Sequence, residues 1–154
     1  MHTRILFKCS VGCVALASLL LIAGCGGSYQ SSAYGTVTLD GKVVPRGNIA
    51  FQPLAGGPAA YAQISEDGSY VVQTGREGGL PAGDYLVSVT ANEAPAITQG
   101  GNGGPPPPGK LITPVWYRSK ETSGLKYTVQ PGKNVINLEL KSQPPAGWKG
   151  TGRS

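Results

Sequence analysis

Histidine and cysteine are nearly absent from this chain. The single histidine, His2, and the three cysteines, Cys9, Cys13 and Cys25, all stand within its first 25 residues. Residues 26–154 therefore carry neither an imidazole nor a thiol. That excludes Ser-His-Asp and Cys-His nucleophilic designs there, together with the usual proton shuttle and zinc ligands. It also excludes disulfides between those residues, so the fold must be held by its core alone. Charge is sparse: thirteen Lys and Arg stand against eight Asp and Glu, spread evenly along the chain. A nucleic-acid surface gathers its basic residues on one element, and no such cluster is present. The carboxylates form no dense group of the kind calcium needs. Asp40, Asp67 and Glu66 sit at Asx-Gly turns, where a short side chain bonding the local backbone accounts for them. These absences imply no cofactor and no metal.

Long apolar runs are equally scarce. The one candidate, residues 9–22, is shorter than the roughly 18–20 residues a membrane-spanning helix requires. It follows Arg4 and Lys8, lacks a polar face, contains Gly12, and runs into Ala23, Gly24 and Cys25. A basic start, an apolar stretch and small residues before a cut are the layout of a secretory signal. The four residues Ile22-Ala23-Gly24-Cys25 resemble the bacterial lipobox. That resemblance implies a diacylglyceryl group on the Cys25 thiol, cleavage just before it, and acylation of the new amine. Residues 1–24 are then a lipoprotein signal peptide, and Cys25 attaches the protein to a lipid bilayer. The expected location is exported and lipid-anchored to a bacterial membrane, on its periplasmic face or at the cell surface. Cleavage would leave 130 of the 154 residues, with eleven basic residues against eight acidic ones. That length suits one domain able to bury a core without staples.

Glycine and proline are plentiful, at 24 and 13 residues, which favours many tight turns. The polar stretch 25–33 reads as a flexible tether. From Tyr34 the pattern has period two. Val37 and Leu39 alternate with threonines before the turn pair Asp40-Gly41, and Ile49 and Phe51 share a face before Pro53 ends that strand. Ala62 and Ile64, then Tyr70 and Val72, read as a hairpin on Asp67-Gly68 facing one core. Tyr85, Val87 and Val89 mark the next strand. Leu125, Tyr127 and Val129, opposite Ile136, Leu138 and Leu140, read as a final hairpin across Pro131-Gly132. No stretch combines helical periodicity with caps. The expectation is an all-β, seven-stranded antiparallel sandwich over residues 34–141. Within it, residues 92–114 form a long Gly/Pro-rich loop, functional or merely disordered, and residues 142–154 a frayed tail.

Gly35, Val37, Asp40, Gly41, Asp67, Gly68, Tyr70, Leu80, Gly83, Tyr85, Val87 and Val89 stand in an order that resembles the carboxypeptidase regulatory-like domain. This is a transthyretin-like, immunoglobulin-like sandwich. One departure is Val44-Pro45, where the proline comes a place later than in the family pattern. The closing stretch 122–140 resembles the C-terminal half of small exported bacterial lipoproteins with this domain. The resemblance covers about residues 34–141 and implies a non-catalytic module, structural or binding.

Trp116 and Tyr117 are the best candidates for a binding surface, because Tyr and Trp dominate recognition hot spots. Packing over an open end of the sheets is the commoner use of such a pair and is expected here. Trp148 in the tail is expected to be exposed. The function read from the sequence is a membrane-anchored cell-envelope module that contacts protein or glycan. An enzyme working through Tyr, Lys and carboxylates is the alternative.

Overall fold

The computed structural model of the protein describes residues 29–95, 107 and 109–148. These form an all-β unit of eleven strands in two sheets, in which antiparallel pairs predominate. The first sheet is built around β1 (Ser31–Leu39), which pairs with β2 (Lys42–Val43), β5 (Ser69–Val71), β10 (Gly132–Val135) and β11 (Leu138–Leu140). The second runs β7 (Glu77–Gly78), β6 (Gln73–Thr74), β4 (Ala60–Ile64), β3 (Gly47–Pro53), β8 (Gly83–Thr90) and β9 (Leu125–Val129). The only helical element among the described residues is one turn of 3-10 helix, Val115–Arg118.

The core follows the period-two pattern. Val37, Ile49, Phe51, Val72, Val87, Val89, Leu138 and Leu140 are fully buried and belong to a single cluster fed by both sheets. Phe51 packs against two tyrosines of the cluster, with the Tyr70 and Tyr85 rings each at a centroid distance of 6.2 Å. The Asp40-Gly41 turn forms as expected. Both residues have positive φ (49° and 80°), the conformation that fits the strand twist in a two-residue hairpin, and glycine adopts it without steric cost.

Four expectations are corrected. First, the stretch assigned to a tether, 25–33, is already strand from Ser31. Ser31 and Ala33 are buried while Tyr34 is exposed, and β10 pairs with this segment. Small side chains hid the alternation that larger apolar ones would have displayed.

Second, the Asp67-Gly68 turn closes locally, with Ser65 N–H donating to the Ser69 carbonyl at 2.9 Å, but β4 and β5 do not pair. β5 crosses to β1, and β6 returns to β4 at Tyr61. Third, the final hairpin is likewise divided. β9 joins β8 in one sheet, whereas β10 and β11 run parallel to β1 in the other. Alternation specifies which face of a strand is buried, not which neighbour it joins. Two of the seven expected strands therefore appear divided, into β5 and β6 and into β10 and β11, with the short β2 and β7 added.

Fourth, the tail is not frayed over 142–148. Ser142 N–H donates to the Asp40 carboxylate at 3.2 Å, and Trp148 packs against the core. The described ends of the 92–114 loop are also joined. Glu93 N–H donates to the Lys110 carbonyl and Ile112 N–H to the Ala91 carbonyl, both at 2.8 Å.

The junction of β10 and β11 is held in part by a buried side chain, beside the Asn137 side chain that accepts from Thr36. The Tyr70 hydroxyl donates to the Ile136 carbonyl at 2.6 Å, inside the core, at a break in the ladder to β1. Burial pushes the Tyr70 phenol well above its usual range, with the nearby Tyr127 adding to it. Replacing Tyr70 with Phe keeps the ring but leaves that carbonyl without its donor. Urea unfolding should show a loss of about 1–3 kcal/mol. A loss indistinguishable from zero would mean the bond contributes nothing.

Candidate functional site

Trp116 and Tyr117 are set by the 3-10 turn after Pro114, which packs against β8. Tyr117 N–H donates to the Pro114 carbonyl at 3.1 Å, and the Thr122 hydroxyl donates to the Trp116 carbonyl at 2.6 Å. The segment is fastened at both sides. Ahead of it, the buried Thr113 hydroxyl accepts Ala91 N–H at 3.0 Å. Behind it, the buried Ser123 hydroxyl donates to the Val87 carbonyl at 2.6 Å. Short hydroxyl side chains thus replace the ladder where β8 runs out, which satisfies backbone groups that would otherwise be buried unpaired.

Both aromatic rings lie mostly inward, with Trp116 at 9 % and Tyr117 at 7 % exposure. Their centroids are 5.9 Å apart, and the Trp148 ring meets Trp116 edge-on at 5.0 Å. The Tyr117 hydroxyl accepts Lys141 N–H at 2.9 Å, tying the turn to the end of β11. Three buried polar atoms in this part of the chain, Trp116 Nε1, Trp148 Nε1 and Asn92 Oδ1, have no hydrogen-bond partner among the described residues. The sequence-level candidates therefore line the closed end of the core rather than an open ring-lined surface. Trp148, read as an exposed tail residue, is part of that closure. A lone tryptophan among Gly and Pro carries no periodic signal.

Of the acidic residues singled out, Asp40 and Asp67 are engaged locally, as is Glu121. Asp67 Oδ1 accepts Ser69 N–H at 2.9 Å and the Ser69 hydroxyl at 2.7 Å, which holds its carboxyl below the usual range. Asp40 is lowered by its bonds from Ser142. Glu121 is lowered by the Ser119 hydroxyl, which donates to Glu121 Oε2. The buried phenols are used in the same way, with the Tyr85 hydroxyl donating to the Pro81 carbonyl at 2.8 Å. A lowered carboxyl and a raised phenol both move away from the neutral pKa that general acid–base work favours. Among the described residues no three His, Cys, Asp or Glu come together as metal ligands.

One surface concavity is open to solvent. It lies between β4 and β5 and is lined by Asn48, Tyr61, Gln63, Val71 and Gln73 among others. Tyr61 and Val71 are exposed there. It has no acidic or basic side chain in its lining. Cys25 lies outside the described residues, as do residues 1–24. No helix among the described residues is long and apolar enough to cross a membrane. No family model matches the chain, and no curated protein or solved structure does either.

Proposed function

We propose that this protein is a lipid-anchored, non-catalytic module of the bacterial cell envelope. Its anchor is the Cys25 thiol, and the all-β unit beginning at Ser31 is the part it presents. The unit is read as a transthyretin-like, immunoglobulin-like sandwich of the carboxypeptidase regulatory-like kind, with a structural or binding role towards protein or glycan. The observation that carries this reading is the sequence Ile22-Ala23-Gly24-Cys25 closing a signal-type apolar run. A β unit with no histidine and no thiol follows it directly. The site geometry supports the non-catalytic part. The tyrosines and carboxylates an enzyme would need here are used to close turns and to cap backbone groups.

Several acyl chains on one cysteine suffice as an anchor. Each buried methylene contributes about 0.8 kcal/mol, so one chain holds marginally and more than one holds firmly. Replacing Cys25 with Ser should accordingly move the protein from the membrane fraction to the soluble fraction, or leave it as uncleaved precursor. Fractionation of cells expressing each form reads this directly. Membrane association unchanged by the substitution would refute the anchor.

A further inference from the structure

The chain between the proposed anchor and the folded unit is short. Ser31 is 3 % exposed, and its carbonyl accepts Leu80 N–H at 3.1 Å. One residue earlier, the Gln30 carbonyl accepts Gly132 N–H, also at 3.1 Å. The free length counted from Cys25 therefore ends by Tyr29. At about 3.6 Å per residue at most, those steps reach no more than about 14 Å. The nine residues of β1 alone extend about 30 Å at roughly 3.3 Å each. A unit about twice as long as its leash cannot present both ends equally to the surface that holds it.

We infer that the unit rests on the lipid surface with one defined end down, and this inference rests on the anchor reading above. The registers identify that end. β10 starts beside Ser31, so the turn at 130–132 lies there. Gly83 pairs with Val129, which brings the 79–82 connection to the same end. Pro53 pairs with Tyr85, and Leu54 N–H donates to the Asp84 carbonyl at 2.9 Å, so loop 54–59 joins them. That loop reads Leu-Ala-Gly-Gly-Pro-Ala, with no charged residue, and Leu54 at its start is 50 % exposed. Exposed Arg76 and Lys133 lie at the same end, alongside exposed Glu77 and Asp84, so these four charges balance. An exposed, uncharged apolar tip beside the anchored start of β1 matches the boundary of headgroups and acyl chains. The opposite end carries the Asp40-Gly41 turn, the Trp116 turn and the Asn92–Leu111 bridge. It is turned away from the membrane, towards any partner.

The absence of other thiols makes the test clean, because a single introduced cysteine is the only one beyond Cys25 once the signal is removed. Full-length Ala55→Cys and Lys133→Cys report on the near end, and Lys42→Cys and Arg118→Cys on the far end; all four positions are exposed. Each is labelled with a fluorophore and reconstituted from detergent into phosphatidylethanolamine–phosphatidylglycerol vesicles containing headgroup-nitroxide lipid. Quenching at positions 55 and 133 should exceed that at 42 and 118 severalfold. Equal or reversed quenching, in protein that floats with the vesicles and carries lipid mass on Cys25, overturns the orientation while leaving the anchor intact. Protein that neither floats nor carries lipid overturns both. Two labels at each end, with circular dichroism on every variant, keep one misfolded substitution from deciding the result.

Discussion

Gly35→Ala should lower stability by more than about 3 kcal/mol, at or beyond the upper range for forcing atoms into a packed site. A Cβ at this position would stand 2.7 Å from the Ile136 carbonyl carbon, closer still to its oxygen, and 3.0 Å from Asn137 Oδ1. None of these neighbours is free to yield. The Ile136 carbonyl holds the Tyr70 hydroxyl, and Asn137 Oδ1 accepts both Thr36 N–H at 3.1 Å and the Thr36 hydroxyl at 3.2 Å. The added methyl would therefore separate β1 from the β10–β11 junction and break those bonds together. Thermal unfolding followed by circular dichroism should show a midpoint lower by roughly 10 °C or more. Gly78→Ala is the control, since its φ is not positive and nothing lies within 4 Å of the new atom. Equal midpoints for the two variants would mean β1 does not approach Ile136 so closely.

Trp116→Ala should cost about 3–5 kcal/mol, as for other buried aromatics. The ring is in contact with Tyr117 and Trp148 and forms part of the main core cluster. Its removal also uncovers Trp148, so a double variant with Trp148→Ala should fall short of the sum of the two single losses. Denaturant titration of the four proteins measures that coupling. Strict additivity would mean the two indoles do not touch. Trp116→Ala that left stability unchanged but abolished capture of an envelope partner would instead make the ring a recognition residue.

The strand faces were legible in the sequence because burial imposes period two directly on residue choice. Ile49 and Phe51, Val87 and Val89, and Leu138 and Leu140 could be read as inward before any partner was known. The turn at Asp40-Gly41 was legible for a comparable local reason, since its two residue types suit positive φ. Pairing was not. The chain leaves Asp67-Gly68 and Pro131-Gly132 as if to form hairpins, yet each turn carries it from one sheet to the other. What decides that is packing between distant segments, such as the Tyr70 hydroxyl on Ile136, which no window of neighbouring residues contains. The start of β1 was missed because Ser31 and Ala33 are small enough to be buried without looking apolar. The closed end was half legible. Trp116 and Tyr117 stood out as large aromatics, whereas Trp148 and the Thr113 and Ser123 hydroxyls acquire their roles only from what the fold brings beside them.

On the proposed anchor, the β1 boundary carries functional weight. A tether extending to residue 33 would let the unit turn freely above a bilayer, whereas strand from Ser31 would hold it close and oriented. Lengthening the chain between Cys25 and Tyr29 with Gly-Ser repeats is accordingly a way to relax orientation without touching the fold.

On the proposed reading, Cys25 becomes the acylated first residue of the mature protein. The mass of the N-terminal peptide from protein isolated with the membrane fraction reads this without intermediaries. A peptide that begins at Cys25 and carries the added mass of a diacylglyceryl group and an amide-linked acyl chain is expected. A peptide containing Gly24-Cys25 uncut, or one beginning at Cys25 with an unmodified thiol, would contradict it.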